Sequence, residues 1–325
     1  MYLTYEQIKS FTSAAIRIEQ KDNRIVFHRI PPILAQRYAA HEHWNVRMNC
    51  PSGVRINFLS DTRFIKISLN YRQFARHLFQ GNLIVDNNSS YNFGPDAYTP
   101  AWSGEIFQQQ NREFHQFEIW LPHLAENELV YLEVEDGSEL KSVSIPELNW
   151  LVYGDSITQG MNATVPINGH ISLCARELNA DFLNLGIGGE IFADELSEDI
   201  PDYNWDFATI AYGVNDWAKN ILPALMAEKA VRLLKTLKQK RPDNQIFLIS
   251  PLSTVGRDPE NDRGLTLDDY REALKTSALE TETMFIDGTT LVPAEAEFFA
   301  DGLHPNDAGF KVYAENLLIV IKQHI

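Results

Sequence analysis

Trp150-Leu151-Val152-Tyr153 runs directly into Gly154-Asp155-Ser156-Ile157-Thr158-Gln159-Gly160. Four bulky apolar residues without alternation suit a strand buried on both faces, and the small and polar residues behind them end it abruptly. The same texture recurs at Phe182 to Leu185, Phe207 to Ala211, Ile246 to Ser250 and Met284 to Asp287. Helical apolar stripes lie between and after these runs: Ile171, Cys174, Ala175 and Leu178; Leu222, Met226, Ala230, Leu233 and Leu237; Phe310, Tyr313, Ala314, Leu317, Leu318 and Ile321. Pro223 suits a first helical turn, where a missing N–H costs nothing. Strand and helix in alternation predict an α/β domain with a doubly wound parallel sheet, whose chemistry gathers at the carboxyl ends of the strands.

Upstream of residue 148 the texture differs. Val54, Ile56 and Phe58; Ile65, Ile67 and Leu69; Phe117, Ile119 and Leu121; and Val130, Leu132 and Val134 alternate with polar residues, and Ile16 and Ile18 begin the series. Period two marks half-buried strands. Turn chemistry such as Asp86-Asn87-Asn88 and Asp136-Gly137 separates them at intervals that predict a β-sandwich or jelly roll. We expect residues 1–148 to form this accessory domain and 149–325 the catalytic one, with Ser144 to Leu148 as the boundary. The absence of a Ser/Gly/Pro-rich linker predicts that the halves pack directly, the sandwich forming one wall of the cleft.

Composition narrows the function classes. The 325 residues are 44% hydrophobic and 11% aromatic, ample for two cores, and the net charge of -16 argues against nucleic acid or an anionic membrane as partner. Residues 1–148 hold 14 basic and 17 acidic side chains, so most of the acidity falls on the second half, which favours a neutral or cationic substrate. Cys50 and Cys174 are the only cysteines and stand in no metal-binding spacing, so both are expected to be free thiols. Neither a leader pattern nor an apolar run of membrane-spanning length occurs, and the chain as it stands reads as cytoplasmic. Its oligomeric state is not legible.

Each predicted strand end carries a polar group. After the first strand, Ser156 is presented at the sheet edge beside its own N–H, although Asp155 and Ser156 would also serve as plain helix caps. After the second, Gly186-Ile187-Gly188-Gly189 frees a backbone N–H for close approach, or merely turns the chain. After the third, Asn215 in Gly213-Val214-Asn215-Asp216 offers a side-chain amide, or caps a helix. Before the last helix, Asp301 precedes His304 by three residues, a spacing that lets a carboxylate hold Nδ1 and leave Nε2 to accept a proton, though a lone histidine is more often structural. Together they supply a nucleophile, two donors and an oriented base, the parts that acyl transfer needs.

These four blocks, in this order from Val152 to Pro305, resemble the SGNH (GDSL) hydrolase superfamily. The resemblance implies a three-layer α/β/α, flavodoxin-like catalytic domain and a serine esterase without cofactor or metal. It implies Ser156 as nucleophile, His304 as general base and acid, and Asp301 as its orienter. The oxyanion hole would be the N–H of Ser156, the N–H of Gly189, with Gly188 the neighbouring alternative, and the amide of Asn215. Asp155 would brace the loop. A neutral His304 is required, so activity should fall as pH drops through an imidazole pKa of about 6.5.

Other features are weighed against this reading. His41-Glu42-His43-Trp44 could set two imidazoles on one strand face as metal ligands, but no third ligand is evident and a structural role is preferred. Trp44, Trp102 and Trp217 could stack on sugars or fill the core; Trp217, two residues after Asn215, is the best placed to line a substrate pocket. Arg257 sits in a long loop that could reach the cleft. A sandwich ahead of this hydrolase is similar to the arrangement in some carbohydrate esterases. The expected activity is therefore hydrolysis of short acyl esters, O-acetyl foremost, on carbohydrates or small molecules. An acyltransferase with an alcohol acceptor is the alternative within the same chemistry. A glycan-binding protein with incidental catalysis is the alternative outside it.

Overall fold

The computed structural model describes residues 1–144 and 146–325; Ile145, within the expected boundary segment, lies outside the described residues. Two compact units result, one of residues 1–30, 41–146 and 165–167, the other of residues 31–40, 147–164 and 168–325. The expectation of one boundary, after residue 148, thus misses two excursions of the chain. Residues 31–40 belong to the second unit and 165–167 to the first. Hydropathy texture registers a change of architecture over tens of residues and cannot register a ten-residue crossing.

The first unit is a β-sandwich. One antiparallel sheet runs Thr12–Ser13, Arg55–Ser60, His115–Trp120, Gly81–Val85, Ser89–Phe93, with Leu140–Ser142 also on Arg55–Ser60; the other runs Arg17–Lys21, Arg24–His28, Ala125–Val134, Phe64–Phe74, Ala101–Gln108. Alternation does the sorting. Ile56, Phe58, Leu83, Phe117 and Ile119 from the first sheet meet Ile65, Ile67, Leu69, Leu129 and Leu132 from the second in one apolar core. The unit also holds helices at Tyr5–Phe11 and Glu42–Asn49.

The second unit is built on five parallel strands, β1 (Leu148–Gly154), β2 (Ala180–Asn184), β3 (Phe207–Ala211), β4 (Gln245–Ile249) and β5 (Met284–Ile286), in the order β2-β1-β3-β4-β5. Its helices are α1 (Pro32–Ala39), α2 (Ser156–Gln159), α3 (His170–Leu178), α4 (Glu195–Glu198), α5 (Val214–Ala218), α6 (Pro223–Lys240), α7 (Leu267–Glu280) and α8 (Asp307–Ile321). Helix α3 packs on α8 and α6 on α7, so the sheet is covered on both faces. The strand order reverses between β1 and β3, and the crevice at such a switch point is where doubly wound sheets bind ligands. Ser156 and Asn215 follow those two strands.

Helix α7 was not evident from apolar spacing. Thr266 and Asp269 start it with a reciprocal capping box. Helix α1, far upstream in the chain, is anchored within this unit by Asp199, whose carboxylate accepts from the N–H groups of Ile33 at 2.6 Å and Leu34 at 3.2 Å. No helix among the described residues is long and apolar enough to cross a membrane.

Candidate active site

The turn after β1 is tight. A Cβ on Gly154 would stand 2.0 Å from Thr158 Oγ1 and 3.0 Å from the Ala211 carbonyl, so only glycine lets the chain fold back beside β3. Asp155 then caps α2, its carboxylate accepting from the N–H of Ile157 at 2.9 Å. Ser156 is thereby the first residue of the helix, with its N–H at the positive end of a short turn.

His304 reaches Ser156 from the loop ahead of α8. Its Nε2 lies 2.9 Å from Ser156 Oγ and its Nδ1 2.8 Å from Asp301 Oδ2. Asp301 Oδ1 accepts from the N–H groups of His304 at 2.8 Å and Leu303 at 3.1 Å. Burial works against this carboxylate, but the backbone and ring N–H donors outweigh it and hold its pKa down to about 2. The loop packs against the loop after β4 at Gly302, where φ is +75° and a Cβ would meet the Val255 carbonyl at 2.2 Å. Arg257 does reach this loop: its guanidinium donates to the Asp301 carbonyl at 3.0 Å.

The expected oxyanion donors come from the turns that follow β1, β2 and β3. Among the described residues the backbone N–H groups of Ser156 and Gly189 donate to no protein acceptor. Gly188 differs from its neighbour, because its N–H donates to Gln159 Oε1 at 2.9 Å. That bond separates the two glycines, which the sequence left ambiguous by one residue. Asn215 Nδ2 donates to the Glu190 carbonyl at 2.9 Å and lies 3.4 Å from Asp155 Oδ2. Burial pushes the carboxyl groups of Asp155 and Asp216 up to about 7, the charge of Glu190 adding to the shift in both. A hydroxyl aligned with a carboxylate-held imidazole, next to unpaired N–H donors, is an arrangement that can form and release an acyl-serine.

Several expected residues stand elsewhere. Trp217 is 9% exposed and its indole N–H donates to the Leu265 carbonyl at 2.9 Å, so it is packed into the protein and offers little face to a substrate. Trp102 stacks on Phe93 with ring centroids 6.1 Å apart, packed against the sandwich core. His41 and His43, read in the sequence as lying on a strand, stand instead at the cap and first turn of the Glu42–Asn49 helix. Two residues along a helix point about 200° apart, so these imidazoles do not share a face, and His41 packs edge-on to Trp44 instead. Among the described residues no group of three or more His, Cys, Asp or Glu could hold a metal ion. Both cysteines are free and buried, and burial raises the Cys50 thiol to about 12. The sequence reading missed Gln159, Glu190 and Arg37; the position of Glu190, directly after the glycine block, was the one available signal.

A family model described as GDSL-like lipase/acylhydrolase matches residues 152–312. Among solved structures the chain is similar to the salicylyl-acyltransferase SsfX3 of a tetracycline biosynthetic pathway, with 19% identity, 97% of this chain and 95% of that one covered, and a TM-score of 0.86. It is also similar to a Bacteroides ovatus protein described as a GDSL-like lipase (19% identity, 99% and 97% covered, TM-score 0.81). A family two carbohydrate esterase from Cellvibrio japonicus matches at 17% identity over 98% and 96% of the chains, with a TM-score of 0.70. No curated protein matches it in sequence. At these identities the structural likeness is one of fold, whereas the family match covers all four sequence blocks. Residues 152–312, within the second unit, therefore form a GDSL-like lipase/acylhydrolase domain of the SGNH hydrolase superfamily, enzymes that cleave ester bonds.

Proposed function

We propose that the protein is a serine esterase that removes short acyl groups, O-acetyl foremost, from carbohydrates or small molecules. The observation that carries this reading is the continuous relay Ser156–His304–Asp301, at 2.9 and 2.8 Å, beside unpaired N–H groups on Ser156 and Gly189. His304 takes the proton of Ser156 as its Oγ attacks the ester carbonyl. The two N–H groups and the Asn215 amide receive the oxyanion, and His304 returns the proton to the departing alcohol. Water, activated by the same imidazole, then releases the acid. Asp301 stays ionised throughout, since its pKa lies near 2. Similarity to carbohydrate esterases supports the carbohydrate alcohol.

Hydrolysis of p-nitrophenyl esters of increasing chain length tests the proposal, with Ser156→Ala as control. Serine-dependent turnover greatest for acetate is expected. No such turnover on any chain length, together with no labelling of Ser156 by a fluorophosphonate, would refute it. A rate independent of pH between 5 and 8 would remove His304 from the role of base.

A second reading, acyl transfer to an alcohol, is favoured by the full-length similarity to a salicylyl-acyltransferase. Partitioning of the acyl-enzyme between water and added alcohols separates the two. Preferential ester formation at low alcohol concentration would select transfer.

A further inference from the structure

Glu190 is completely buried, one residue beyond the Gly189 N–H, and its side chain is bonded at both oxygens. Oε2 accepts from Arg37 Nη1 at 2.6 Å and Oε1 from the N–H of Ile191 at 2.8 Å. Its backbone is equally held, the N–H donating to the Ile187 carbonyl at 3.0 Å and the carbonyl accepting from Asn215 Nδ2 at 2.9 Å. Of the two hydrogens on that amide, one is committed to Glu190 at 2.9 Å and the other makes only a long 3.4 Å bond to Asp155 Oδ2, so the Glu190 carbonyl sets the direction of both. Arg37 also lies 3.5 Å from Glu195 and is itself only 14% exposed at the side chain.

The titratable side chains around this point are mostly acidic. Asp155 and Asp216 are buried at 3% and 0% exposure, and one oxygen of Asp216 has no hydrogen-bond partner. Lys219 donates to the Gly189 carbonyl at 2.6 Å, but its side chain is on the exposed side of the loop. Among the described residues Arg37 is the cation that pairs directly with the buried Glu190 carboxylate. An uncompensated anion here would repel the charge that develops on the substrate oxygen.

We infer that Arg37, carried on the helix of residues 32–39 that the chain sends into the catalytic unit, is a positioning residue for the oxyanion hole. By pairing with Glu190 it fixes the carbonyl that aims Asn215 and cancels a negative charge beside the developing oxyanion. The inference rests on the esterase reading and assigns a catalytic dependency to a segment outside the family-matched region. Its effect belongs to the transition state, so it acts on kcat and leaves KM nearly unchanged.

The test uses the full chain and p-nitrophenyl acetate, after wild-type turnover has been shown to vanish in Ser156→Ala; absence of that turnover would fail the esterase reading itself. Arg37→Met is expected to lower kcat by about 10- to 100-fold with KM within about twofold. It should weaken a boronic acid inhibitor, whose tetrahedral adduct bears the oxyanion's charge, by a similar factor. Arg37→Lys should retain more activity than Arg37→Met. Adding Glu190→Gln to Arg37→Met, which removes the buried charge, should recover part of the loss and leave kcat about 3- to 10-fold below wild type. If Arg37→Met does not fold, the double variant carries the test through the same parallel fall in kcat and boronate affinity. Wild-type kcat in folded Arg37→Met or in the double variant, or a kcat loss with boronate affinity intact, overturns the inference.

Discussion

Asp301→Asn separates orientation from fold more cleanly than any other substitution in this site. The Asp301 carboxylate has two jobs on two oxygens: Oδ1 accepts the N–H groups of Leu303 and His304, and Oδ2 faces His304 Nδ1 at 2.8 Å. An asparagine can keep its amide oxygen on the two backbone donors, which leaves its NH₂ facing Nδ1. The imidazole then has to present a lone pair at Nδ1 and carry its proton on Nε2, the atom 2.9 Å from Ser156 Oγ that must accept a proton. The base is in place and in the wrong tautomer. The same exchange in other serine hydrolases lowers kcat by about 10⁴-fold, equivalent to about 5 kcal/mol of transition-state stabilisation. Because the backbone bonds survive and the side chain is 41% exposed, the melting temperature should stay close to wild type. Steady-state hydrolysis of p-nitrophenyl acetate, with the rate of fluorophosphonate labelling as a check that excludes product release, measures the loss. A decrease of less than about tenfold in a folded variant would refute the tautomer reasoning and leave Ser156 and His304 working without an orienter.

Asn215→Ala removes one proposed oxyanion donor and should lower kcat by about 10²- to 10³-fold with little change in KM; a KM effect alone would assign the amide to ground-state binding. Gly154→Ala forces a Cβ to within 2.0 Å of Thr158 Oγ1, and an overpacking cost of about 1–3 kcal/mol should appear as a lower melting temperature. An unchanged melting curve would contradict the close approach. Burial raises the Asp155 and Asp216 carboxyls to about 7, so between about 4 and about 7 the folded state binds more protons than the unfolded one. Their contribution to stability is therefore present at low pH and lost as pH rises through 7. Asp216→Asn should make the urea midpoint less dependent on pH between 5 and 8; the same dependence as wild type would show that Asp216 does not hold its proton.

The catalytic constellation was readable because each element is local. Gly154-Asp155-Ser156, the glycine block, Gly213 to Asp216 and Asp301 to His304 each sit where an unbroken apolar strand or a loop meets a helix. A buried parallel strand needs such a run of side chains whatever its neighbours are. What was not readable depends on distance along the chain. Arg37 and Glu190 are 153 residues apart, and nothing in the texture around Arg37 separates it from the other basic residues of the first half. Trp217 looked well placed because it follows Asn215 by two residues, but helix α5 turns it toward Leu265. His41 and His43 were read with a strand period, where residues two apart share a face; helical pitch separates them.

Sequence by itself determined the fold class, the four chemical groups and their order, since burial on both faces, turn chemistry and the Asp301-to-His304 spacing are all satisfied within a few residues. Only the tertiary structure decided the strand order β2-β1-β3-β4-β5 that brings Ser156 and Asn215 to one switch point. Only it decided which glycine keeps an unpaired N–H, and that helix α1 joins the catalytic unit. Those outcomes rest on hydrogen bonds and ion pairs between segments far apart in the chain. Their partners are chosen by how strands and helices pack, which no local pattern of residues records.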